Sequence, residues 1–324
     1  MKKLILILFV FLQAASVFAE NNENGYSYIP LLNYEFVSVE GQKYHAPGAG
    51  LLLLHGDQSP KYSEVPDNFL IGILYKTAIL DNPPLNYSNL YHDILFVFER
   101  RIKRHTIQVV LNSSSDEPVY GGLQTTQSHI GYGFEFLRKE KIDFTIGAFL
   151  LVRDYGIDLP NGGTWPVLPV PLVRFNFYSS IVHLSLNYFK FTLVAAPESQ
   201  FRLAGSINLD SLNISDGHDT LFDCIFWYRF FKKDYKLGDF AGIGIGIKNS
   251  GPSGPDGLGA RSFSLGEKNK IYDMNYYSVF GVLDVSFFKI SGGYIFYSRE
   301  RYDTNTMKET GKGFFVSTQV LYKF

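Results

Sequence analysis

The segment Gly313-Phe314-Phe315-Val316-Ser317-Thr318-Gln319-Val320-Leu321-Tyr322-Lys323-Phe324 closes the chain with a clean alternation. Phe314, Val316, Thr318, Val320, Tyr322 and Phe324 fall on one face, and Ser317, Gln319 and Lys323 fall on the other. A period of two is that of an extended strand with one apolar and one wet face.

At the other end, Lys2 and Lys3 precede an apolar run from Leu4 to Leu12, then Ser16-Val17-Phe18-Ala19 before Glu20. A basic start, a short apolar stretch and a small terminal residue make residues 1–19 a secretory signal peptide, with cleavage expected after Ala19. The run is too short to span a bilayer. No cysteine follows it, so lipoprotein processing is not indicated. Leader and terminal strand together resemble bacterial outer-membrane β-barrel proteins, whose terminal aromatic residue the barrel assembly machinery reads. The resemblance implies an all-β transmembrane antiparallel barrel over residues 20–324, in the outer membrane of a diderm (Gram-negative-type) bacterium. It also makes Val320, Tyr322 and Phe324 the assembly signal.

Beyond the leader no stretch has the run of apolar residues a membrane helix needs, yet 46% of residues are hydrophobic and 16% aromatic. A barrel reconciles the two, because half of each strand faces lipid while the backbone pairs around a closed ring. Thirty basic side chains against 31 acidic ones offer no footprint for nucleic acid. Cys224 is the only cysteine, so no intramolecular disulfide staples the loops. The histidines lack metal-ligand spacing, and the run Gly242-Ile243-Gly244-Ile245-Gly246 lies in a strand with no helix after it. No metal or cofactor is therefore expected. Those glycines are expected to make room for a bulky neighbour or a bend.

The clearest hairpin runs from Gln124 to Arg153. Ile130, Tyr132, Phe134 and Phe136 alternate with His129, Gly131, Gly133 and Glu135, Arg138 to Lys141 form a charged turn, and alternation resumes from Ile142 to Val152. Extending this along the chain predicts about 14 strands, within a range of about 12 to 16. Two places resist the count. Val167 to Leu209 needs a further turn near Asn187, and His55 to Asp67 puts a long connection on the short-turn side. Counted back from the terminal strand, short turns near Phe287, at Phe231–Asp239 and at Arg138–Lys141 fall at the periplasmic end. Ser113–Leu123, Asp154–Pro166, Asn249–Lys270 and Arg299–Lys312 fall outside, the asymmetry expected of such barrels. Asn249–Lys270, rich in Gly, Pro and Ser, is expected to be an external loop in solvent and not a constriction inside the pore. The stretch Glu20–Tyr28 is too short for a plug domain.

Candidate lumen-facing residues carry both signs: Asp143, Arg153, Arg174, Arg202, Asp210, Asp223, Arg229, Asp284 and Lys289. No one-signed ring suggests ion preference. Aromatic residues at strand ends, among them Tyr91, Tyr178, Trp227, Tyr228, Tyr276 and Tyr297, are expected largely in interface girdles. His183-Leu184-Ser185 resembles the catalytic strand of outer-membrane lipid hydrolases, a resemblance that implies His183 as base and Ser185 as nucleophile. Residues two apart share a face. Here, however, Val182, Leu184, Leu186 and Tyr188 form the lipid-facing set, so the pair points inward, away from any lipid substrate. The reading is a porin-like channel for passive diffusion of small solutes, whose partners are outer-membrane lipids, the assembly machinery and the solutes. A closed barrel with structural or adhesive external loops is the first alternative, and a lipid hydrolase the second.

Overall fold

A computed structural model describes residues 26–56, 67–83, 88–116, 128–152, 160, 167–187, 190–208, 221–230, 241–250, 263–264, 271–285, 288–302 and 306–321. Every described element is a strand. Three long hairpin strands come first: β1 Tyr26–Val39, β2 Gln42–His55 and β3 Asp67–Leu80. They are followed by β4 Leu90–Ile102, β5 His105–Ser115, β6 Ser128–Lys139, β7 Ile142–Val152 and β8 Val167–Tyr178. Shorter strands come next: β9 Val182–Asn187, β10 Lys190–Ala195, β11 Phe201–Asn208, β12 Leu221–Arg229 and β13 Ala241–Ser250. The chain ends with β14 Phe263–Ser264, β15 Ile271–Val285, β16 Phe288–Tyr302, β17 Thr306–Glu309 and β18 Gly313–Leu321.

Sixteen of these strands form the wall, each antiparallel to the next, and β18 closes the ring on β1 from Leu31↔Leu321 to Val39↔Gly313. Two short strands lie outside the count: β17 folds back on β16, and β14 adds to β15. The total exceeds the central expectation of about 14 and stands at the top of the expected range. The additional hairpin is β9–β10, which reverses between Asn187 and Lys190 at the place the sequence left ambiguous. Six-residue strands fall below the usual membrane-spanning length, which is why the segment reads poorly as a hairpin.

β1 begins and β18 finishes at the same end of the barrel, called here the near end. The connections Lys103–Arg104 and Glu140–Lys141 turn there, and so does the longer 56–66. The opposite, far end carries 116–127, 153–166, 251–270 and 303–312, so the four segments expected together do share an end. Their bounds differ from expectation, because Ser113–Ser115 continue β5, Asn249–Ser250 continue β13 and Arg299–Tyr302 continue β16. Short reversals also occur at the far end, between Asn187 and Lys190 and at Glu40–Gly41, where Gly41 adopts φ 81°, a conformation open to glycine without penalty.

The wall is apolar outside. Ile73, Ile130, Phe136, Ile245, Tyr294 and Phe314 all expose large side chains on the outer surface, as lipid contact requires. The inside is not uniformly wet. Val37, Tyr44, Leu80, Tyr91, Trp227, Tyr276, Phe280, Ile295 and Phe315 form one buried cluster on the inner face of the arc from β12 round to β4. Tyr91, Trp227 and Tyr276 therefore sit within the barrel instead of in a girdle. The glycines of β13 make this possible. A Cβ on Gly244 would stand 2.9 Å from Trp227 Cε3 and one on Gly246 3.1 Å from Phe280 Cζ, so both positions are kept bare by a bulky neighbour.

Phe315 packs its ring 5.6 Å from Tyr276 and 6.0 Å from Phe280, with the Lys248 ammonium 3.9 Å above it. Phe315→Leu removes part of the buried area and the cation–π contact together. The expected cost is about 2 kcal/mol, read as a lower denaturant midpoint of the reconstituted barrel.

Candidate functional site: the barrel interior

The interior divides into two walls of different chemistry. Along β4 to β9 the inward residues form a polar network interrupted by buried Leu95, Val110, Phe149 and Leu172. Glu135, 2% exposed, accepts from Arg101 Nη2 at 2.8 Å and from Arg138 Nε at 2.7 Å. Glu99 faces Arg174 at 3.5 Å and accepts from Gln108 Nε2 at 3.1 Å. Arg174 Nε donates to Asn187 Oδ1 at 3.2 Å, and Asn176 Nδ2 donates to Asp143 Oδ1 at 2.7 Å. Neighbouring charges of opposite sign hold one another, so the wall is strongly polar with no dominant sign.

A backbone irregularity builds the centre of that network. Residues three apart on a regular strand face opposite sides. Between Glu135 and Leu137 the register with β7 shifts by one, leaving Phe136 as the bulged residue, 65% exposed outside. The shift turns Arg138 inward to meet Glu135. The sequence placed Arg138 in the turn, but β6 runs on to Lys139 and the turn is only Glu140–Lys141.

The opposite wall combines the aromatic cluster with one buried polar chain. Lys248 Nζ donates to Tyr276 Oη at 3.3 Å, and Tyr276 Oη donates to Glu35 Oε1 at 2.7 Å. These three residues come from β13, β15 and β1 and lie far apart in sequence. Nearer the near end, a cavity of about 210 Å³ opens along β16, β18 and β1–β4. Leu31, Leu52, Leu74, Leu95 and Val97 line it, with Asn33, Glu35, Lys76, Lys289 and Gln319 among its polar groups.

The candidate lumen residues fall as follows. Asp143 and Arg174 belong to the polar network. Asp223 accepts from the Ser206 backbone at 2.9 Å and from its hydroxyl at 3.0 Å. Arg202 lies 5.9 Å from the Trp227 ring, and buried Arg229 donates to the Pro197 carbonyl at 3.1 Å. Asp284 stands across from Lys289 at the near end. Arg153 and Asp210 lie outside the described residues, as do Tyr322, Phe324 and the leader. Val320, expected in the assembly signal, pairs with Leu32 and with Phe288.

His183 and Ser185 lie on the same face of β9, but Ser185 Oγ donates to Asn176 Oδ1 at 2.6 Å and the His183 ring packs edge-on against Tyr178. The serine hydrogen is thus engaged by an amide and not by an imidazole. No group of three or more metal-ligating side chains occurs among the described residues.

Sheet and surface together define the class of protein. A ring of antiparallel strands closed on itself, with apolar side chains outside and ion pairs inside, pairs its backbone strand to strand instead of with water, and this is a transmembrane barrel of the outer-membrane type. No family description matches the chain, and no curated protein matches it. Among solved structures it is similar to the outer membrane protein opdK from Pseudomonas aeruginosa, at 9% identity and TM-score 0.36 over 92% of this chain and 99% of that one. Acinetobacter baumannii OccAB4 is similar at 10% identity and TM-score 0.34, over 94% of this chain and 100% of that one. CdiB from Acinetobacter baumannii follows at 8% identity and TM-score 0.37, over 92% of this chain but 60% of that one.

Proposed function

We propose that the protein forms a channel for passive movement of small solutes across the outer membrane. The observation that carries this reading is the combination of ring size with a strand laid across the ring. A circular ring of sixteen strands would be roughly 30 Å across between backbones, the size at which barrels leave an aqueous channel instead of a packed core, and here its far end is drawn in by β14. Within the segment 251–270, Ser264 pairs with Ile271 of β15 and bridges Ser115 of β5 in parallel. β5 and β15 stand on nearly opposite sides of the ring, so β14 narrows the far end of the lumen.

Beyond the far end a solute meets ion pairs on the β4–β9 wall toward the near end, and aromatic and aliphatic side chains on the opposite wall. Small polar molecules with an apolar face suit both walls. The test is purified protein in planar bilayers, where stepwise conductance is expected, together with osmotic swelling of liposomes by small sugars. Absence of both would favour the closed-barrel reading, which has its own support in the complete burial of Tyr91, Tyr276 and Ile295.

A further inference from the structure

We propose that the cavity lined by β1–β4, β16 and β18 is a binding site for a small uncharged alcohol with a compact aliphatic body. Leu31, Leu52, Leu74, Leu95 and Val97 put aliphatic side chains on a lumen wall where solvation alone asks for polar ones. They share the inward alternation of buried Val37, Tyr44, Ala78 and Tyr91 on the same four strands.

Glycines hollow this part of the wall. A Cβ on Gly50 would stand 2.6 Å from the Ile73 carbonyl oxygen and 3.0 Å from Leu74 Cδ1, one on Gly72 would meet Leu52 Cδ2 at 2.5 Å, and one on Gly48 would strike Asn33 Oδ1. Leu52, Leu74 and Asn33 therefore lie flat across bare backbone, and the space above them is the cavity. Its volume of about 210 Å³ sets the size of the occupant. An apolar cavity of about 150 Å³ holds benzene, which scales to about eight heavy atoms here.

Charge balance argues for a neutral occupant. Lys76 stands across from Asp93, Lys289 stands across from Asp284, and Glu35 is joined to Lys248 through Tyr276. Each cation thus has a carboxylate near it, and a charged ligand would lose its hydration without meeting an unbalanced opposite charge.

The polar group is set by Asn33, which lies beside Gln319 across the β1–β18 rung. Asn33 Oδ1 is buried and has no hydrogen-bond partner among the described residues. Turning the amide from Gly48 toward the cavity therefore breaks no bond to that oxygen, and a bound hydroxyl then donates to it. A hydrocarbon of the same shape leaves the acceptor unmet. This reading goes beyond axial diffusion and does not rest on it.

The test uses the full barrel in phosphatidylcholine nanodiscs and three probes of one shape: fluorocyclohexanol, fluorocyclohexane and fluorocyclohexane carboxylate. Fluorine NMR line broadening that excess cyclohexanol reverses separates a saturable site from partition into lipid, with empty nanodiscs as the baseline. Displaceable broadening of the alcohol is expected to exceed that of the other two probes severalfold. Filling the cavity with Val97→Trp is expected to abolish it, and Asn33→Leu to bring the alcohol down to the level of the hydrocarbon. No displaceable broadening in the wild type, the result also expected if another part of the chain fills the cavity, overturns the site whether or not Val97→Trp folds. Broadening that persists in a folded Val97→Trp barrel overturns it too. Equal broadening by alcohol and hydrocarbon, or a stronger effect from the carboxylate, overturns the ligand class. Binding without conductance in planar bilayers counts against the axial channel alone.

Discussion

Replacing Glu135 with leucine is expected to destabilise the barrel by about 3–5 kcal/mol, because it strands two guanidinium groups that now share one carboxylate. Arg101 and Arg138 reach Glu135 at 2.8 and 2.7 Å, and their side chains are only 15% and 14% exposed, so water does little to replace the lost partner. The measurement is the urea midpoint of the barrel folded into short-chain lipid vesicles. A control separates the ion pairs from simple packing. Replacing Arg101, Glu135 and Arg138 together by methionine, leucine and methionine removes every charge at once, and such exchanges are often neutral or stabilising. Recovery of most of the lost stability in the triple variant is the expected result. If the single and triple variants are equally destabilised, the charges are not what Glu135 contributes. In planar bilayers the single variant is also expected to shift selectivity toward anions, since two positive groups on the lumen wall lose their counter-charge.

Shortening the segment between β13 and β15 is expected to change function and not stability. Residues 251–270 replaced by a brief Gly-Ser turn would remove β14 and its bridge from Ser264 to Ser115, while the β13–β15 register from Ala241↔Val285 to Ser250↔Tyr276 stays intact. The predicted outcome is a single-channel conductance several times larger, with a denaturation midpoint close to that of the parent. Unchanged conductance would mean that β14 does not limit the path, and the narrowest section would then have to lie lower, beside the Lys248–Tyr276–Glu35 chain.

The two sides of the wall differed in how far they could be read in advance. Outward residues such as Ile130, Tyr132 and Phe136, or Ile243, Ile245 and Ile247, follow strict alternation, and all are exposed in the folded barrel. Lipid contact imposes a single requirement on each outward position, independently of its neighbours. Inward positions answer to whatever stands across the lumen. Tyr91, Trp227 and Tyr276 look like interface residues until strands distant in sequence bring them to one cluster. Glu35 and Lys248 show no local pattern that would join them, and only Tyr276 between them does. The glycines of β13 were legible as gaps for bulky groups, but Trp227 and Phe280 as their occupants were not.

From the sequence alone come the period-two strands, the apolar outer face and the expectation of an exported outer-membrane barrel, because each depends on residues near one another in the chain. Ring closure, the count of sixteen strands, the inward turn of Arg138 at the Phe136 bulge and the bridge from Ser264 to Ser115 were decided only by the tertiary structure. The reason is physical. Alternation records which side of a strand meets lipid, whereas register and ring size arise from every hairpin fitting its neighbours simultaneously, a condition no single segment carries.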